Sequence, residues 1–398
     1  MKISSFARRV TTGGMQSWAV HRRAVERQRN GEPIILLSIG QDPAAGPPER
    51  VIERAVQSLH AGRHHYTGCQ GEPGLREAIA TDHYRKTGQQ AGADCCVVFA
   101  GAQNALFAIL ACLLEPGDEV IVPEPYYSTY PATLTAMGAT LMTVATTPEQ
   151  NFQLDPNRIE AALTSATRAV VINSPNNPTG AVYGRGAVQA VADICRRHDL
   201  WLVSDEVYAD FCFDKPHLSP ASLPGMEDRC ITISSLSKSH RMPGWRVGWA
   251  VVPALLVPYL VDLNLCMLYG LPGFIQDAAS QALADNGRGA DAIRDTYRAR
   301  RDRVCEQLEG LPGLGVHRPQ GGMFVMLDVR PLGLDSTQFA MGLLDRHGVA
   351  VLPADGFGTS ASGHLRLGLV ASVELLDEAC ARISEYLKFL TAVPGTSQ

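Results

Sequence analysis

Lys238 is the residue whose type and position most directly suggest covalent chemistry. It follows the apolar run CITISS closely and stands between Ser237 and Ser239. A side chain at the carboxyl end of a buried parallel strand points into the crevice where α/β sheets bind ligands. Partial desolvation there lowers the pKa of the amine, which can then act as a nucleophile or hold an imine. The alternative is a surface lysine whose stem packs on the protein while its ammonium stays in water.

Groups that bind phosphate lie next to this lysine. Ser235 and Ser237 precede it, and Arg246 follows in the segment PGWRVGW. Two hydroxyls and a planar fork of N–H groups can together grip a phosphate. The interpretation of Lys238 as a functional residue therefore gains support from its surroundings.

A second candidate phosphate element is the segment AGAQNALF. Here an apolar run changes into a helical pattern at Gly101, Ala102 and Gln103. Free N–H groups at a helix N-terminus make an anion site, although a plain strand-to-helix turn has the same pattern. The sequence contains neither GxGxxG nor GxxxxGK[ST], so dinucleotide and nucleoside-triphosphate sites lose their main support.

Four further polar residues stand in apolar or turn segments. Asp205 closes the run WLVSDEVY, and Tyr208 three residues later can share its site. A partly buried carboxylate needs a cationic partner. Asn177 lies in the turn SPNNPTG, where turn geometry alone also favours asparagine. Arg366 interrupts the apolar run HLRLGLV, and a buried guanidinium requires an anion from the protein or from a substrate.

These side chains meet only if several strands end at one edge of a sheet. Short β-branched runs, typical of strands buried on both faces, recur at 97–99, 119–122, 168–172, 200–203, 231–233 and 247–252. Helical patterns lie between several of them, for example at 105–114 and 187–197. This alternation predicts an α/β fold with a mainly parallel sheet between helices.

The pattern changes after about residue 275. A long charged helix is predicted at 290–308, and strands are predicted at 322–328 and 364–369. A last helix follows Ser372 and places on one face Leu375, Leu376, Ala379, Ile383, Leu387 and Leu390. We predict a large ligand-binding domain at 46–275 and a smaller α+β domain formed by 1–45 and 276–398.

Composition limits the partners and the location. The 398 residues are 45% hydrophobic and 19% charged with a net charge of −5, an ordinary globular balance that disfavours nucleic acid. The longest apolar run, 105–114, is about half a membrane span, and no apolar stretch follows the basic start. We therefore expect no membrane segment and a cytoplasmic protein. The ten cysteines form no CxxC pair, which predicts reduced thiols and no metal site.

In combination, seven segments resemble the class I aminotransferases among the fold-type I pyridoxal-phosphate enzymes. They are YTGCQGEPGLREAI, AGAQNALF, PEPYYSTY, NSPNNPTG, SDEVY, SSLSKSHRMPGWRVG and HLRLGL. The resemblance extends from about Leu36 to Leu387. It implies the fold-type I architecture, pyridoxal 5′-phosphate as the cofactor of the large domain, and a homodimer.

The resemblance also implies a role for each candidate residue. Lys238 holds the cofactor aldehyde and moves the proton at the substrate Cα, while Asp205 keeps the ring nitrogen protonated. Asn177 and Tyr208 hydrogen-bond the ring oxygen, and Tyr127 stacks on the ring. The phosphate is surrounded by Gly101, Ala102, Gln103, Ser235, Ser237, Arg246 and the partner subunit's Tyr66. The substrate is bound by Gly40, Asn177 and Arg366, with Arg366 holding its α-carboxylate and the backbone of Gly40 nearby.

Stretches outside the cofactor motifs resemble bacterial arginine–pyruvate transaminases, among them LCMLYGLPGFIQDAA and LLDRHGVAVL. This implies a ping-pong reaction with an L-amino acid donor, arginine being the leading candidate, and a 2-oxo acid acceptor, pyruvate being the leading candidate. An aspartate or broad-specificity aromatic aminotransferase and a pyridoxal-phosphate-dependent lyase stay open as alternatives. The family usually continues Gly40 as GxPDF, whereas this chain reads Gly40-Gln41-Asp42-Pro43-Ala44 and so departs from that pattern at Asp42, Pro43 and Ala44.

Overall fold

The computed structural model describes residues 1–10, 18–43, 45–285 and 287–392. The strands are β1 (Ile35–Leu36), β2 (Cys96–Phe99), β3 (Glu119–Glu124), β4 (Thr140–Ala145), β5 (Thr167–Asn173), β6 (Trp201–Asp205), β7 (Cys230–Ser235), β8 (Gly248–Val251), β9 (Gly315–His317), β10 (Phe324–Asp328), β11 (Val349–Ala350), β12 (Leu352–Pro353) and β13 (His364–Gly368). The helices are α1 (Ser5–Val10), α2 (Ala19–Arg29), α3 (Glu49–His60), α4 (Pro73–Thr87), α5 (Ala102–Leu113), α6 (Tyr130–Met137), α7 (Pro156–Ala161), α8 (Arg185–Arg197), α9 (Leu236–Ser239), α10 (Val257–Met267), α11 (Gly273–Leu283), α12 (Arg288–Leu308), α13 (Ser336–His347) and α14 (Val373–Ala392).

A seven-stranded sheet is the centre of the larger unit. Its strand order is β2-β8-β7-β6-β5-β3-β4, and β8 alone runs antiparallel to its neighbours. The prediction of a mainly parallel sheet is therefore confirmed. The edge strand β4 lies outside the predicted runs, because half of its side chains face solvent and its apolar pattern is weak.

Both faces of this sheet are covered by helices. Adjacent residues of one strand enter different cores: Val170 and Leu202 pack with α8, whereas Val171 and Val203 pack with α5. This follows from the alternation of side chains across a strand, and it explains the nearly unbroken apolar runs in the sequence.

A second sheet, with the order β12-β13-β10-β9, is antiparallel throughout. Its core is shared with α12, α13 and α14, and also takes Val20 and Ala24 from α2 near the start of the chain. In α14, Leu376, Ile383 and Leu387 are buried as expected, but Leu375 is 43% exposed, so its place on the buried face was predicted wrongly. The domain boundaries at 45/46 and 275/276 stay predictions.

No helix within the described ranges is both long enough and apolar enough to span a membrane. All ten cysteines are free thiols. Five of them are buried, namely Cys96, Cys195, Cys230, Cys305 and Cys380.

Candidate active site

A cavity of about 220 Å³ opens at the carboxyl ends of β5, β6 and β7. The sequence-predicted residues that line it are Gly40, Ala102, Gln103, Tyr127, Asn177, Asp205, Tyr208, Ser235, Ser237, Lys238, Arg246 and Arg366. Two predicted residues, Gly101 and Tyr66, are not part of this lining. Segments far apart in sequence therefore converge as the arrangement of strand ends requires.

Sheet register brings the strand ends together. Asn173 at the end of β5 pairs with Asp205 at the end of β6, and Ser235 at the end of β7 pairs with Gly248. Because β8 is antiparallel, its first residue lies at the same edge, and Arg246 just before it reaches the cavity. Asn177 is held in its turn by a hydrogen bond from its backbone N–H to Asn173 Oδ1 at 2.8 Å.

Lys238 extends from the short helix α9 into the cavity. Its Nζ donates a hydrogen bond to the carbonyl oxygen of Gly40 at 2.7 Å. Desolvation, with smaller contributions from the positive charges of Arg366 and Arg246, lowers the pKa of Lys238 to about 8. With this pKa, roughly a tenth of the amine is neutral and nucleophilic at pH 7, far more than of an ordinary surface lysine.

Asp205 is a desolvated carboxylate held by neutral donors. Its Oδ2 accepts a hydrogen bond from the hydroxyl of Tyr130 at 2.7 Å, and its Oδ1 accepts one from the backbone N–H of Val207 at 3.3 Å. Burial raises the pKa of Asp205 to about 6. The cationic partner expected from the sequence is not among its contacts in the described part of the protein. A protonated ring nitrogen from a cofactor fits this carboxylate.

Arg246 and the start of α5 line the cavity together. Gly101, the residue before α5, has φ 88° and ψ 166°, a conformation essentially restricted to glycine. A Cβ at Gly101 would overlap the guanidinium of Arg246, so the absence of a side chain lets the arginine pack against the helix start. Arg246 donates to the carbonyls of Ala100 at 3.2 Å and Pro243 at 2.6 Å. Since a guanidinium has five N–H donors, several remain to meet a phosphate beside the free N–H groups of α5.

Arg366 is a buried guanidinium with neutral partners. Its Nη1 donates to Asn177 Oδ1 at 2.9 Å, and its Nη2 donates to the carbonyl oxygen of Ser38 at 3.0 Å. The guanidinium lies 4.0 Å from the ring centre of Phe324 and 5.0 Å from that of Phe357. Burial lowers the pKa of Arg366 to about 10. No carboxylate is among its contacts in the described residues, so the anion it requires fits a substrate carboxylate.

The remaining lining side chains are fixed by local contacts. The ring of Tyr127 meets that of Tyr130 edge-on with 5.8 Å between centres, and Tyr208 meets Phe324 in the same way at 6.2 Å. Gln103 accepts from the hydroxyl of Thr129 at 2.7 Å. These contacts hold two phenol rings and one amide at the cavity, in keeping with an aromatic cofactor ring.

Tyr66 lies apart from the other candidates. It is 88% exposed, and its ring contacts the exposed Tyr269 with 5.2 Å between centres. Within this chain it therefore does not reach the cavity. Its role toward the phosphate of a neighbouring subunit stays a prediction.

Sequence reasoning missed three aromatic contributors. Trp18 and Phe324 line the cavity, and Tyr130, which is not part of the lining, donates a hydrogen bond to Asp205. Tyr130 stands three residues after Tyr127 in PYYSTY, a helical spacing that could have identified it. Trp18 carries no comparable signal in the sequence, since it reaches the cavity only through the packing of the small unit.

Comparison with known proteins gives one family. The family model described as aminotransferase class I and II matches residues 32–383. The chain is 51% identical to arginine–pyruvate transaminase AruH of Pseudomonas aeruginosa, covering 96% of this chain and 98% of that protein. It is 36% identical to the aspartate/prephenate aminotransferase of Thermus thermophilus, covering 93% and 95% of the two chains. The solved structure of Thermus thermophilus aspartate aminotransferase with maleate matches with a TM-score of 0.91 at 35% identity, over 97% of this chain and 100% of that one.

Proposed function

Because the chain belongs to aminotransferase class I and II, we propose that it transfers the α-amino group of L-arginine to pyruvate in a ping-pong cycle. The enzyme is an aminotransferase that uses pyridoxal 5′-phosphate. The choice of arginine and pyruvate rests on one observation, the 51% identity to AruH over nearly the full length of both proteins.

The cavity residues divide between the parts of the cofactor. Bound pyridoxal phosphate supplies an aldehyde that receives the amino group and a ring that draws electrons from the substrate Cα. Lys238 would hold the aldehyde carbon through its amine, and Asp205 would keep the ring nitrogen protonated. Tyr208 and the amide of Asn177 would donate to the ring oxygen, and Tyr127 would pack on the ring. The groups that surround the phosphate are the start of α5 at Ala102 and Gln103, shaped by Gly101, together with Ser235, Ser237 and Arg246.

The substrate is placed by its carboxylate. Arg366 lines the cavity and has no carboxylate contact of its own within the described residues, which supports a two-point grip on an α-carboxylate. Lys238 Nζ lies 2.7 Å from the carbonyl of Gly40, next to the same subsite. Lys238 would also take the proton from the substrate Cα, and a pKa near 8 suits a general base at neutral pH.

The cavity wall offers one surface that suits a cationic donor side chain. Trp18 lines the cavity, and a guanidinium stacks well on an indole face. The cationic side chains that line the cavity in the described part of the chain are Lys238, Arg246 and Arg366, each of which already has a role. The described residues of this chain therefore supply no additional lining cation for the distal carboxylate of aspartate.

We propose further that the enzyme is a cytoplasmic homodimer. Exposed apolar side chains gather around α10, namely Leu255, Tyr259, Leu265, Met267 and Tyr269. An apolar surface of this kind is typical of a subunit interface. Tyr66 contacts Tyr269 beside it, which supports a reach into the partner's phosphate site. The free cysteines agree with a reducing compartment.

A substrate panel tests the proposal. The purified holoenzyme is mixed with single L-amino acids, and the visible absorption of the cofactor is followed before acceptors are added one at a time. We expect kcat/KM for arginine to exceed that for aspartate and phenylalanine at least tenfold, with pyruvate the best acceptor. Preference for aspartate would refute arginine as the donor. Release of ammonia without an acceptor would indicate a lyase instead.

A further inference from the structure

Three side chains on one face of the small sheet form a cluster outside the cavity. They are His317 on β9, Asp328 on β10 and His364 on β13. Asp328 pairs with His364 in the register, and His317 pairs with Met326, two positions before Asp328. Because side chains alternate along a strand, all three share one face. One ligand atom from each lies within 4.8 Å of the other two.

The two imidazoles present buried ring nitrogens without partners. His364 is fully buried, and its Nδ1 lies 3.0 Å from the carbonyl oxygen of Ser362. A carbonyl only accepts, so Nδ1 carries the proton and Nε2 carries the lone pair. Among the described residues, neither His364 Nε2 nor His317 Nε2 has a hydrogen-bond partner. A buried polar atom in this state calls for a ligand.

The carboxylate of Asp328 keeps one acceptor position free for a ligand. Asp328 Oδ1 accepts from the backbone N–H and the Nε of Arg330 at 3.0 and 2.9 Å, and Oδ2 accepts from Arg330 Nη2 at 2.7 Å. A carboxylate offers about four lone-pair positions, so one stays available for a metal ion.

We propose that His317, Asp328 and His364 bind one divalent transition-metal ion, at a site on histidines and a carboxylate that the cysteine pattern did not predict. Two neutral imidazoles and one carboxylate suit Zn²⁺, Co²⁺ or Ni²⁺, whereas Mg²⁺ and Ca²⁺ prefer oxygen ligands. The hydrogen bond from His364 to Ser362 is an outer contact of the kind that orients metal-binding histidines. Zn–N bonds of about 2.1 Å bring donor atoms to about 3.4 Å from each other, so the three side chains turn inward on binding.

Such an ion joins three strands next to the cavity. His364 and Arg366 are two residues apart on β13 and face the same way, so the ion stabilises the strand that carries Arg366. The ring of His317 also meets Phe152 edge-on with 5.4 Å between centres, which ties the cluster to the segment after β4. The expected effect is greater thermal stability, because the ion binds the folded chain and not the unfolded one.

Titration with Co²⁺ alone tests the site. The holoenzyme is freed of metals with a chelator and dialysed, and Co²⁺ binding is measured by equilibrium dialysis and by its visible d–d bands. We expect one tight Co²⁺ per chain with no thiolate charge-transfer band, and a melting temperature raised by a few degrees with Zn²⁺. The variant H317Q should weaken binding about tenfold or more, and H364Q likewise. The control H198Q, at an exposed histidine after α8, should bind Co²⁺ as the unmodified enzyme does.

H317Q is the decisive variant, because His317 is only partly buried and its replacement leaves a folded chain, whereas His364 is fully buried. Failure of the unmodified enzyme to bind Co²⁺ stoichiometrically would overturn the proposal. So would unchanged affinity in H317Q, since the ion would then lie elsewhere, for example on cysteines. Neither outcome depends on the aminotransferase activity.

Discussion

Replacement of Arg366 by glutamine tests how the substrate carboxylate is held. The guanidinium is buried, stacks over Phe324 at 4.0 Å, and spends two of its N–H groups on Asn177 and the carbonyl of Ser38. Its partners are neutral in the described structure, so the charge is available for an incoming anion. Glutamine keeps a polar side chain at this position but removes the charge and the fork of donors.

The size of the loss in R366Q follows from the burial of the charge pair that Arg366 forms with the substrate carboxylate. Removal of one partner from a buried, hydrogen-bonded charge pair costs about 2–5 kcal/mol. At about 1.4 kcal/mol for each factor of ten, kcat/KM for arginine should fall about 30-fold to about 5,000-fold. The kcat/KM of R366K for arginine should lie between those of the unmodified enzyme and R366Q, because lysine keeps the charge and loses the two-point geometry.

The assay compares two donors. L-arginine and agmatine, the same amine without the carboxylate, are each mixed with R366Q, and the rate of cofactor absorbance change is recorded. The variant should lose activity toward arginine and change by less than about threefold toward agmatine, which has no carboxylate to lose. R303Q, an exposed arginine paired with Asp377, is the matched control. Equal losses toward both donors, or no loss toward arginine, would refute the assignment of Arg366 to the carboxylate.

Three further predictions concern the cofactor. In the enzyme stripped of cofactor, the rate of pyridoxal-phosphate uptake should rise with pH and level off near pH 8, because the lowered pKa makes the Lys238 amine neutral and nucleophilic above that pH. Stopped-flow absorbance measures this rate, and a rate that still climbs at pH 10 would contradict the lowered pKa. Y130F should lower kcat by about tenfold to about a hundredfold, since it removes the hydrogen bond from the Tyr130 hydroxyl to Asp205 and a hydrogen bond to a charged group contributes about 1.5–3 kcal/mol. Steady-state kinetics measures this effect, with Y386F, at a buried tyrosine outside the site, as the control. A kcat within about twofold of the unmodified enzyme would argue against a role for this bond. G101A should destabilise the fold by about 1–3 kcal/mol and weaken cofactor binding by about tenfold or more, because alanine strains the backbone at this position and displaces Arg246. Thermal melts and cofactor titration measure the two effects, with G74A, where a Cβ meets open space, as the control. Equal behaviour of the two variants would refute the packing argument.

The large unit was predictable because its signal is local. Strands buried on both faces need nearly continuous apolar runs, and β2, β3, β5, β6, β7 and β8 all fall on such runs. Asp205, which ends one run, and Lys238, which follows another, line the cavity at the ligand edge for the same reason. The edge strand β4 was not predicted, and the exposed Leu375 was wrongly placed on the buried face of α14. Residues of an edge strand and at the rim of a helix have mixed polar and apolar patterns that periodicity does not resolve.

The sequence by itself therefore determined the residue types of the site and the strand ends that carry them. Only the tertiary structure decided their partners: Tyr130 rather than a cation beside Asp205, Asn177 and a backbone carbonyl beside Arg366, and Trp18 in the cavity wall. The cluster of His317, Asp328 and His364 likewise exists only through the register of three strands. The physical reason is that apolar periodicity acts between neighbours along the chain, whereas these contacts depend on strand order and register, which join residues up to hundreds of positions apart.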